Sequence, residues 1–365
     1  MVRSWLSWTG LNLTKNCLSY KEGRIVKKTV IVTGGAGYIG STLVRLLLDR
    51  GYSVKVVDRF FFGKESLANV WDQIEPIKTD IRDVRQEVFE GVYAVMDLAA
   101  LSNDPAGELD PQKTLDINYL GRVRVAHLAK RAGVKRYVLA SSCSVYGFQD
   151  GWLDETSPVN PLTTYAEANI LAERGVLPLA DESFVVTALR QATVFGYSYR
   201  MRFDLVVNDM TGSLFTKGKV VMISDGEPWR PFVHVKDTAR AFIEVIEADA
   251  KKVNGEVFNV GDNSLNIQIK DVAKAVGRVL GREGDIEIGG VPDHRSYKVK
   301  FDKINRVLGY KTQYSLEDGI MDVWNALKEG KTSYDDPKVR TVNWYRYLLE
   351  SKKLVDEVAY RGEIL

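Results

Sequence analysis

The sequence is poor in the residues from which disulfide frameworks and metal sites are built. Its 365 residues include two cysteines, Cys17 and Cys143, and three histidines. Two cysteines cannot supply the several cross-links of a small secreted domain, so we expect a cytoplasmic protein in a reducing compartment. The histidines lack the spacing of metal ligands, which predicts that the chain has no metal site.

Long apolar runs and an excess of one charge are also missing. The chain has no run of about eighteen apolar residues, so hydropathy predicts no transmembrane helix and no membrane partner. The formal net charge is only +2, which gives no strong field for nucleic acid. Hydrophobic residues at 45% and charged residues at 27% are typical of a soluble globular protein.

A glycine-rich turn between a strand pattern and a helix pattern is the most informative feature that is present. Residues 29–41 read Thr-Val-Ile-Val-Thr-Gly-Gly-Ala-Gly-Tyr-Ile-Gly-Ser. In this order Gly35 makes the tight turn, Gly37 lets the backbone approach a pyrophosphate, and Gly40 lets the helix pack close to the strand. The helix N-terminus then offers free N–H groups and a positive dipole end to the phosphates.

An acidic residue lies at the distance from the glycines that a bound ribose requires. The next apolar stretch ends at Asp58, about twenty residues after the glycine loop. A carboxylate there accepts hydrogen bonds from ribose hydroxyls and repels a 2′-phosphate, which favours NAD over NADP. Arg59 beside it softens that preference. We predict NAD as the cofactor.

Strand and helix patterns alternate through the first half of the chain. This alternation predicts an α/β fold with a Rossmann-type doubly wound parallel sheet, whose carboxyl-end crevice binds ligands. The expected strands are 29–33, 53–57, 94–98, 136–140 and 184–190, and the expected helices are 39–50, 114–132 and 165–180.

The strict alternation is lost in the second half, which predicts a smaller α/β substrate-binding lobe. The aromatic and leucine spacing after residue 336 predicts an amphipathic C-terminal helix. We expect an N-terminal extension at 1–27, an NAD-binding domain from 28–192 and 233–262, the smaller lobe from 193–232 and 263–330, and a helical tail at 331–365.

Two polar motifs follow the fourth expected strand. Ser141-Ser-Cys-Ser-Val-Tyr-Gly147 begins directly at its end, where hydroxyls can hold a substrate oxygen. Downstream, Tyr165-Ala-Glu-Ala-Asn169 opens a helix. Because positions i and i+4 share one helix face, Tyr165 and Asn169 point the same way.

Together with the glycine loop, these motifs resemble the extended short-chain dehydrogenase/reductase family. More narrowly, the chain is similar to nucleoside-diphosphate-sugar epimerases and dehydratases of the UDP-galactose 4-epimerase type. The resemblance covers about residues 28–330 and includes Leu98-Ala-Ala100, Asn118 within Asp-Ile-Asn-Tyr-Leu-Gly, and Arg230-Pro-Phe-Val-His-Val-Lys-Asp237. It implies a nucleoside-diphosphate sugar as substrate and a homodimer formed through the helices at 114–132 and 165–180.

The resemblance implies that Tyr165 is the acid/base. As a phenolate it takes the proton from a sugar hydroxyl while hydride passes to the nicotinamide, and Ser142 hydrogen-bonds the same oxygen. A free tyrosine has a pKa near 10 and needs electrostatic help near neutrality. The family supplies that help with the positive nicotinamide and a lysine four residues after the tyrosine. Here that position is Asn169, which carries no charge.

This exchange leaves three interpretations open. The chain is an active enzyme whose tyrosine is activated by NAD⁺ alone or by a lysine from elsewhere, or a binding protein or sensor on an enzyme scaffold, or an inactivated variant of an enzyme. We favour an active or formerly active enzyme, weakened by Asn169, because the serine, the tyrosine and the glycine loop all remain.

The residues after the active-site hydroxyl bear on the reaction. Dehydratases of the family carry an Asp-Glu pair there, but this chain has Cys143 and Ser144, which disfavours 4,6-dehydration. Epimerisation through a 4-keto intermediate needs only one acid/base, a hydride store and room for the sugar to turn over. Reduction of a 4-keto sugar by NAD(P)H needs the same groups and is the alternative.

The resemblance also implies the binding residues, by position. The cofactor contacts are Gly34, Gly37, Tyr38, Ile39, Gly40, Asp58, Arg59, Asp80, Ile81, Leu98, Ala99, Ala100, Asn118, Ser141 and Tyr165. The substrate contacts are Ser142, Cys143, Thr193, Asn208, Arg230 and Arg295, with Arg200 and Arg202 as weaker candidates. Two arginines suit two phosphates, since each guanidinium can form a bidentate pair.

Overall fold

Seven parallel strands form the central sheet of this computed structural model, which describes residues 17–21, 24–284, 286–291 and 296–363. Most of the predicted N-terminal extension lies outside the described residues. In chain order the strands are β1 Leu18–Lys21, β2 Arg24–Lys27, β3 Thr29–Thr33, β4 Ser53–Asp58, β5 Ile74–Lys78, β6 Val92–Asp97, β7 Arg136–Ser142, β8 Trp152–Leu153, β9 Val185–Gln191, β10 Thr193–Phe195, β11 Val220–Ser224, β12 Trp229–His234, β13 Glu256–Val260, β14 Asn266–Gln268, β15 Ile286–Val291 and β16 Lys298–Val299.

Twelve α-helices accompany these strands in the described part of the chain. They are α1 Tyr38–Asp49, α2 Asp104–Gly107, α3 Pro111–Leu115, α4 Arg122–Arg131, α5 Thr164–Val176, α6 Val206–Lys217, α7 Val235–Glu247, α8 Ala250–Val253, α9 Ile269–Val279, α10 Asp302–Leu308, α11 Leu316–Lys328 and α12 Thr341–Val358. None of those we can describe is long and apolar enough to cross a membrane.

The strand order of the large sheet is β13-β9-β7-β6-β3-β4-β5, and every neighbouring pair is parallel. Chain order reverses direction between β3 and β6, which opens a crevice at their carboxyl ends. The predicted doubly wound α/β sheet is therefore confirmed.

Helices cover both faces of this sheet, which is why its central strands β3 and β6 consist mostly of buried apolar residues. Leu43 and Leu47 of α1 pack with Phe242 of α7 in one core cluster. Val125 of α4 and Ala172 of α5 belong to the cluster on the other face. The two layers hold the carboxyl ends of the strands in fixed positions, as a ligand site requires.

Two of the predicted helices differ from the observed ones. The helix expected at 114–132 consists of α3, a π-helical turn at Asp116–Gly121, and α4. The helix expected at 165–180 leaves α geometry after Val176, because Pro178 has no N–H to donate to the carbonyl of Arg174 four positions before it. The π-turn lies directly before Arg122, the first residue of α4.

A smaller lobe contains the sheets β10-β12-β14 and β11-β15. Phe195, Phe232 and Val272 belong to its core, together with side chains of α6 and α11. Between its two segments the chain returns to the large sheet, where β13 pairs with β9. The domain boundaries given above stay a prediction.

Candidate active site

A cleft of about 950 Å³ runs along the carboxyl ends of the large sheet, with the smaller lobe on its other side. The ends of β3, β4, β6, β7 and β9 contribute Gly34, Asp58, Leu98, Ser142 and Gln191 to its wall. The sheet therefore brings together residues that are far apart in the sequence.

The glycine loop after β3 has no room for side chains. Gly34 has a positive φ of 66°, and a Cβ there would lie 3.0 Å from the backbone of Ala99. A Cβ on Gly40 would lie 2.3 Å from the carbonyl oxygen of Gly34. Gly37 caps α1 without a side-chain hydrogen bond, which leaves N–H groups at the helix N-terminus for an anion. This cradle fits the pyrophosphate of a dinucleotide.

Asp58 ties the end of β4 to this loop. One carboxylate oxygen accepts a hydrogen bond from the N–H of Ala36 at 3.0 Å, and the other accepts one from the N–H of Phe60 at 2.7 Å. Burial raises the pKa of Asp58, and these hydrogen bonds oppose the rise. Each oxygen keeps a second lone pair, so the carboxylate can still accept ribose hydroxyls.

Asp80 lies at the same end of the cleft, between two arginines. Its carboxylate accepts hydrogen bonds from Arg82 at 2.9 Å and from Arg59 at 3.1 Å. Burial opposes the charge on Asp80, but its partners outweigh burial and lower its pKa. Arg59 also stacks over the ring of Phe61, at 4.2 Å from the ring centroid.

The C-terminal helix closes this end of the cleft. Trp344 of α12 donates its indole N–H to the carbonyl of Phe61 at 2.7 Å, and the ring of Tyr345 contacts the ring of Phe62. Arg200 stacks on Phe62 at 3.6 Å, and burial lowers the pKa of this guanidinium to about 10. Sequence reasoning missed the part of α12 in the cleft, because no local pattern shows what a distant helix covers.

Tyr165 and Ser142 lie at the other end. Tyr165 is in the first turn of α5, which Thr163 caps by accepting the N–H of Ala166 at 3.2 Å. Burial raises the pKa of Tyr165, and the charge of Asp104 raises it further. The charge of Arg122 and hydrogen bonds with Asn169 and Ser142 lower it.

Asn169 is buried one helical turn after Tyr165. Its amide nitrogen donates to the carbonyl of Tyr165 at 3.0 Å, and its amide oxygen accepts from Arg122 at 3.0 Å. Both Asn169 and Arg122 line the cleft. Sequence reasoning missed Arg122, because no local pattern shows which side chain of α4 meets Asn169 on α5.

Three predicted site residues lie off the wall of the cleft. Asn118 exchanges two hydrogen bonds with the backbone of Leu101, at 2.8 and 3.0 Å, and so fixes a loop that lines the cleft. Asn208 is fully buried and bonded to Gly196, Tyr38 and Arg202. Cys143 is buried, because its side chain packs into the sheet and its thiol donates to the carbonyl of Arg190 at 3.3 Å.

On the substrate side, Arg230 and Thr193 line the cleft. Arg230 donates to the carbonyl of Trp229 at 2.9 Å and lies over the ring of Tyr297. Arg202 is paired with Asp204 at 2.8 Å. The predicted contact Arg295 lies outside the described residues.

Most of the predicted cofactor residues reach the cleft, although their roles stay predictions. The predicted cofactor residues on the wall are Gly34, Gly37, Tyr38, Ile39, Gly40, Asp58, Arg59, Asp80, Ile81, Leu98, Ala99, Ala100, Ser141 and Tyr165.

No group of three or more His, Cys, Asp or Glu side chains that could hold a metal ion exists in the part of the chain that the structure describes.

Comparisons with known proteins give relatives of one fold and several reactions. The sequence profile of the NAD dependent epimerase/dehydratase family matches residues 30–261. UDP-glucose 4-epimerase from Lactobacillus helveticus is 29% identical over 332 residues, covering 84% of this chain and 99% of that protein. UDP-glucuronic acid decarboxylase 1 from Xenopus tropicalis is 27% identical over 306 residues, covering 80% and 70%.

The fold of this chain also matches that of a solved structure. MoeE5 in complex with UDP-glucuronic acid and NAD matches with a TM-score of 0.74 and 28% sequence identity, covering 83% of this chain and 99% of that chain.

Proposed function

This chain belongs to the NAD-dependent epimerase/dehydratase family, and from that premise we propose that it is an NAD-dependent epimerase of a nucleoside-diphosphate sugar. The reaction passes through a 4-keto intermediate, with Tyr165 as the acid/base. The observation that carries the proposal is that Tyr165 and Ser142 share one cleft with the N-terminus of α1, where no side chain caps the free N–H groups. A sugar hydroxyl can therefore lie beside the tyrosine while the dinucleotide lies along the strand ends.

The chain's own residues have simple tasks in this reaction. Tyr165, as a phenolate, removes the proton from the C4 hydroxyl, and Ser142 donates a hydrogen bond to the same oxygen. NAD, held by the glycine loop and Asp58, would supply the reversible hydride transfer at C4. Tyr165 gives its proton back to the C4 oxygen once the sugar has presented its other face. On the substrate side, Arg230 binds a phosphate of the diphosphate, and we propose the same for Arg295.

The positions after Ser142 support epimerisation over 4,6-dehydration. Cys143 is buried off the cleft wall, and Ser144 lines the cleft but is not a carboxylic acid. Neither side chain can act readily as an acid or base at C5 and C6. Decarboxylation remains chemically close, because it starts with the same oxidation at C4.

Product analysis separates these reactions. The purified protein is incubated with NAD and a panel of UDP-, GDP-, CDP- and dTDP-linked sugars, and the products are examined by mass spectrometry and NMR. An epimer has the mass of its substrate, whereas decarboxylation loses carbon dioxide and dehydration loses water. We expect at least one C4 epimer, and roughly 10²-fold slower formation of it with Tyr165→Phe. No change in any sugar, with NAD bound, would contradict the proposal.

Asn169 favours a second candidate, a protein that binds NAD and a nucleotide sugar without turnover. A neutral amide cannot replace the charge of lysine on its own. This candidate predicts tight binding by calorimetry and no product from the panel. Reduction of a 4-keto sugar is tested in the same assay by following NAD(P)H oxidation.

We also propose a homodimer through α4, α5 and the π-helical turn before α4. Leu120 on that turn is 52% exposed, as an apolar side chain at a subunit contact would be in an isolated protomer. Light scattering measures the mass directly, and Leu120→Glu is expected to reduce the dimer fraction. The cytoplasmic location stays a prediction from the cysteine count.

A further inference from the structure

The environment of Asn169 contains a buried cation. Arg122, the first residue of α4, is 1% exposed and directs one terminal nitrogen to the amide oxygen of Asn169 at 3.0 Å. Asn169 in turn reaches the backbone of Tyr165 through its amide nitrogen. A guanidinium thus stands directly behind the position where the family has its lysine.

The arginine is held in place by the ends of two central strands. Its second terminal nitrogen donates to the carbonyls of Asp97, at 3.2 Å, and of Ala140. Its Nε has no hydrogen-bond partner and lies 3.9 Å from a carboxylate oxygen of Asp97. Several fixed contacts leave the side chain little freedom, so its charge has a defined position relative to the cleft.

Arginine can carry out the electrostatic part of the lysine's task. A guanidinium stays protonated even when buried, whereas a buried ammonium can lose its proton. It is also longer than lysine, so it can reach from α4 to the helix that carries Tyr165. The amide of Asn169 supplies the hydrogen-bonding group on α5, and Arg122 supplies the charge.

We propose that Arg122 is a positioning residue that, acting through Asn169, provides the positive charge that favours the phenolate form of Tyr165. The inference rests on the proposed function, because it assigns the activation of the same tyrosine. Lysine's two tasks, a hydrogen bond and a charge, are divided between two helices.

The other charges around Tyr165 leave this role to Arg122. The charge of Asp104 of α2 raises the pKa of Tyr165 and so opposes the phenolate, whereas the charge of Arg122 lowers it. Arg202 also faces Tyr165, but two hydrogen bonds of 2.9 and 2.8 Å pair it with Asp204, so their charges largely cancel. In Arg122, by contrast, Nε lies 3.9 Å from a carboxylate oxygen, and one terminal nitrogen donates a hydrogen bond to Asn169.

That carboxylate belongs to Asp97, which is completely buried and accepts hydrogen bonds from Thr33 and Tyr137. Burial raises the pKa of Asp97, and Arg122 opposes the rise. Removing the guanidinium therefore disturbs Asp97 as well as Tyr165, so a test must separate loss of stability from loss of charge.

The test measures the ionisation of Tyr165 directly. Ultraviolet absorbance is followed against pH with and without NAD, and the curve of the same protein carrying Tyr165→Phe is subtracted. Arg122→Gln is expected to raise the midpoint by about one pH unit or more, because a nearby opposite charge is lost. Arg122→Lys keeps the charge and is expected to shift it less.

A double substitution moves the charge back to the family position. In Arg122→Gln combined with Asn169→Lys, we expect the midpoint to return toward that of the native protein. Arg136→Gln is the matched control, since Arg136 also donates to two backbone carbonyls, at 3.1 and 2.8 Å. Arg136 is the first residue of β7, whereas the cleft lies at the carboxyl end of that strand. It is expected to leave the midpoint unchanged.

An unchanged midpoint in folded Arg122→Gln overturns the inference. If Arg122→Gln does not fold, Asn169→Ala is used instead, because it removes the hydrogen bond between Asn169 and Arg122 and leaves the other contacts of Arg122 in place. An unchanged midpoint in Asn169→Ala overturns the inference as well. The absorbance measurement does not depend on turnover. A protein that converts no sugar in the panel but shows the shift would contradict the proposed function and support this inference.

Discussion

The two ends of the cleft are built by different means. At the glycine-loop end, backbone atoms form the binding surface, and single steric requirements such as the 2.3 Å approach at Gly40 decide which residue is allowed. At the tyrosine end, side chains from α4, α5 and two strand ends form a network through Arg122, Asn169 and Asp97. Where backbone atoms are packed this closely, no other residue can replace glycine. In a network of side chains, by contrast, a charge that is lost on one helix can be supplied by a residue of another helix.

The largest effect is expected at the tyrosine end. Tyr165→Phe removes the proposed acid/base and should lower kcat by roughly 10²-fold or more, because general acid–base catalysis contributes at least that much. NAD affinity, measured by calorimetry, should fall far less than kcat, because Tyr165 is only one of many predicted cofactor contacts. Equal losses of turnover and NAD binding would show that the tyrosine end is not separate from the cofactor cradle.

The next largest effect is expected at the glycine loop. Gly40→Ala places a methyl group 2.3 Å from the carbonyl oxygen of Gly34, so the helix must move away from the loop, at a cost of about 1–3 kcal/mol. NAD affinity should fall by at least about tenfold in calorimetric titration. The control is Gly277→Ala in α9, where the nearest atom is 3.1 Å away. A native NAD affinity in Gly40→Ala would contradict the steric account.

The pH profile sharpens the comparison. Tyr165 acts as a base only when ionised, so activity falls as the pH drops below its pKa. Burial, which raises that pKa, moves the falling limb to higher pH, and the charge of Arg122 moves it back. Arg122→Gln should shift the limb of kcat upward by about one unit and lower kcat about tenfold at pH below it. A change in KM for the sugar alone, with the limb unmoved, would indicate a merely structural role.

The smallest effect is expected where α12 closes the end of the cleft that contains Asp58 and Asp80. Tyr345→Ala removes the aromatic contact with Phe62 and should raise KM for NAD a few-fold, with kcat unchanged, since it touches only binding. Leu349→Ala, on the same helix and 53% exposed, is the control. If both variants behave alike, α12 does not contribute to the cofactor site.

The sequence predicted those features that depend on neighbouring residues. The strands near 29–33, 53–57 and 136–140 were predicted to within two residues, because buried parallel strands are continuously apolar. The glycine loop and Asp58 were recognisable by their spacing, and both line the cleft. The sequence also indicated the substitution at Asn169, but not what replaces the lost charge.

What only the tertiary structure decided depends on contacts between distant segments. The glycine cradle was recognisable in the sequence by its spacing, and the steric demand at Gly40 acts within the loop and the first turn of α1, although that at Gly34 comes from Ala99 after β6. Three contacts of this kind join residues that are 47 to 283 positions apart. They are the hydrogen bond of Arg122 with Asn169, the packing of Tyr345 on Phe62, and the hydrogen bond of buried Cys143 with Arg190. Which residues form such pairs depends on how the strands and helices pack against one another. A charge also acts through space on groups that are distant in the sequence, so no local sequence pattern reveals these pairs.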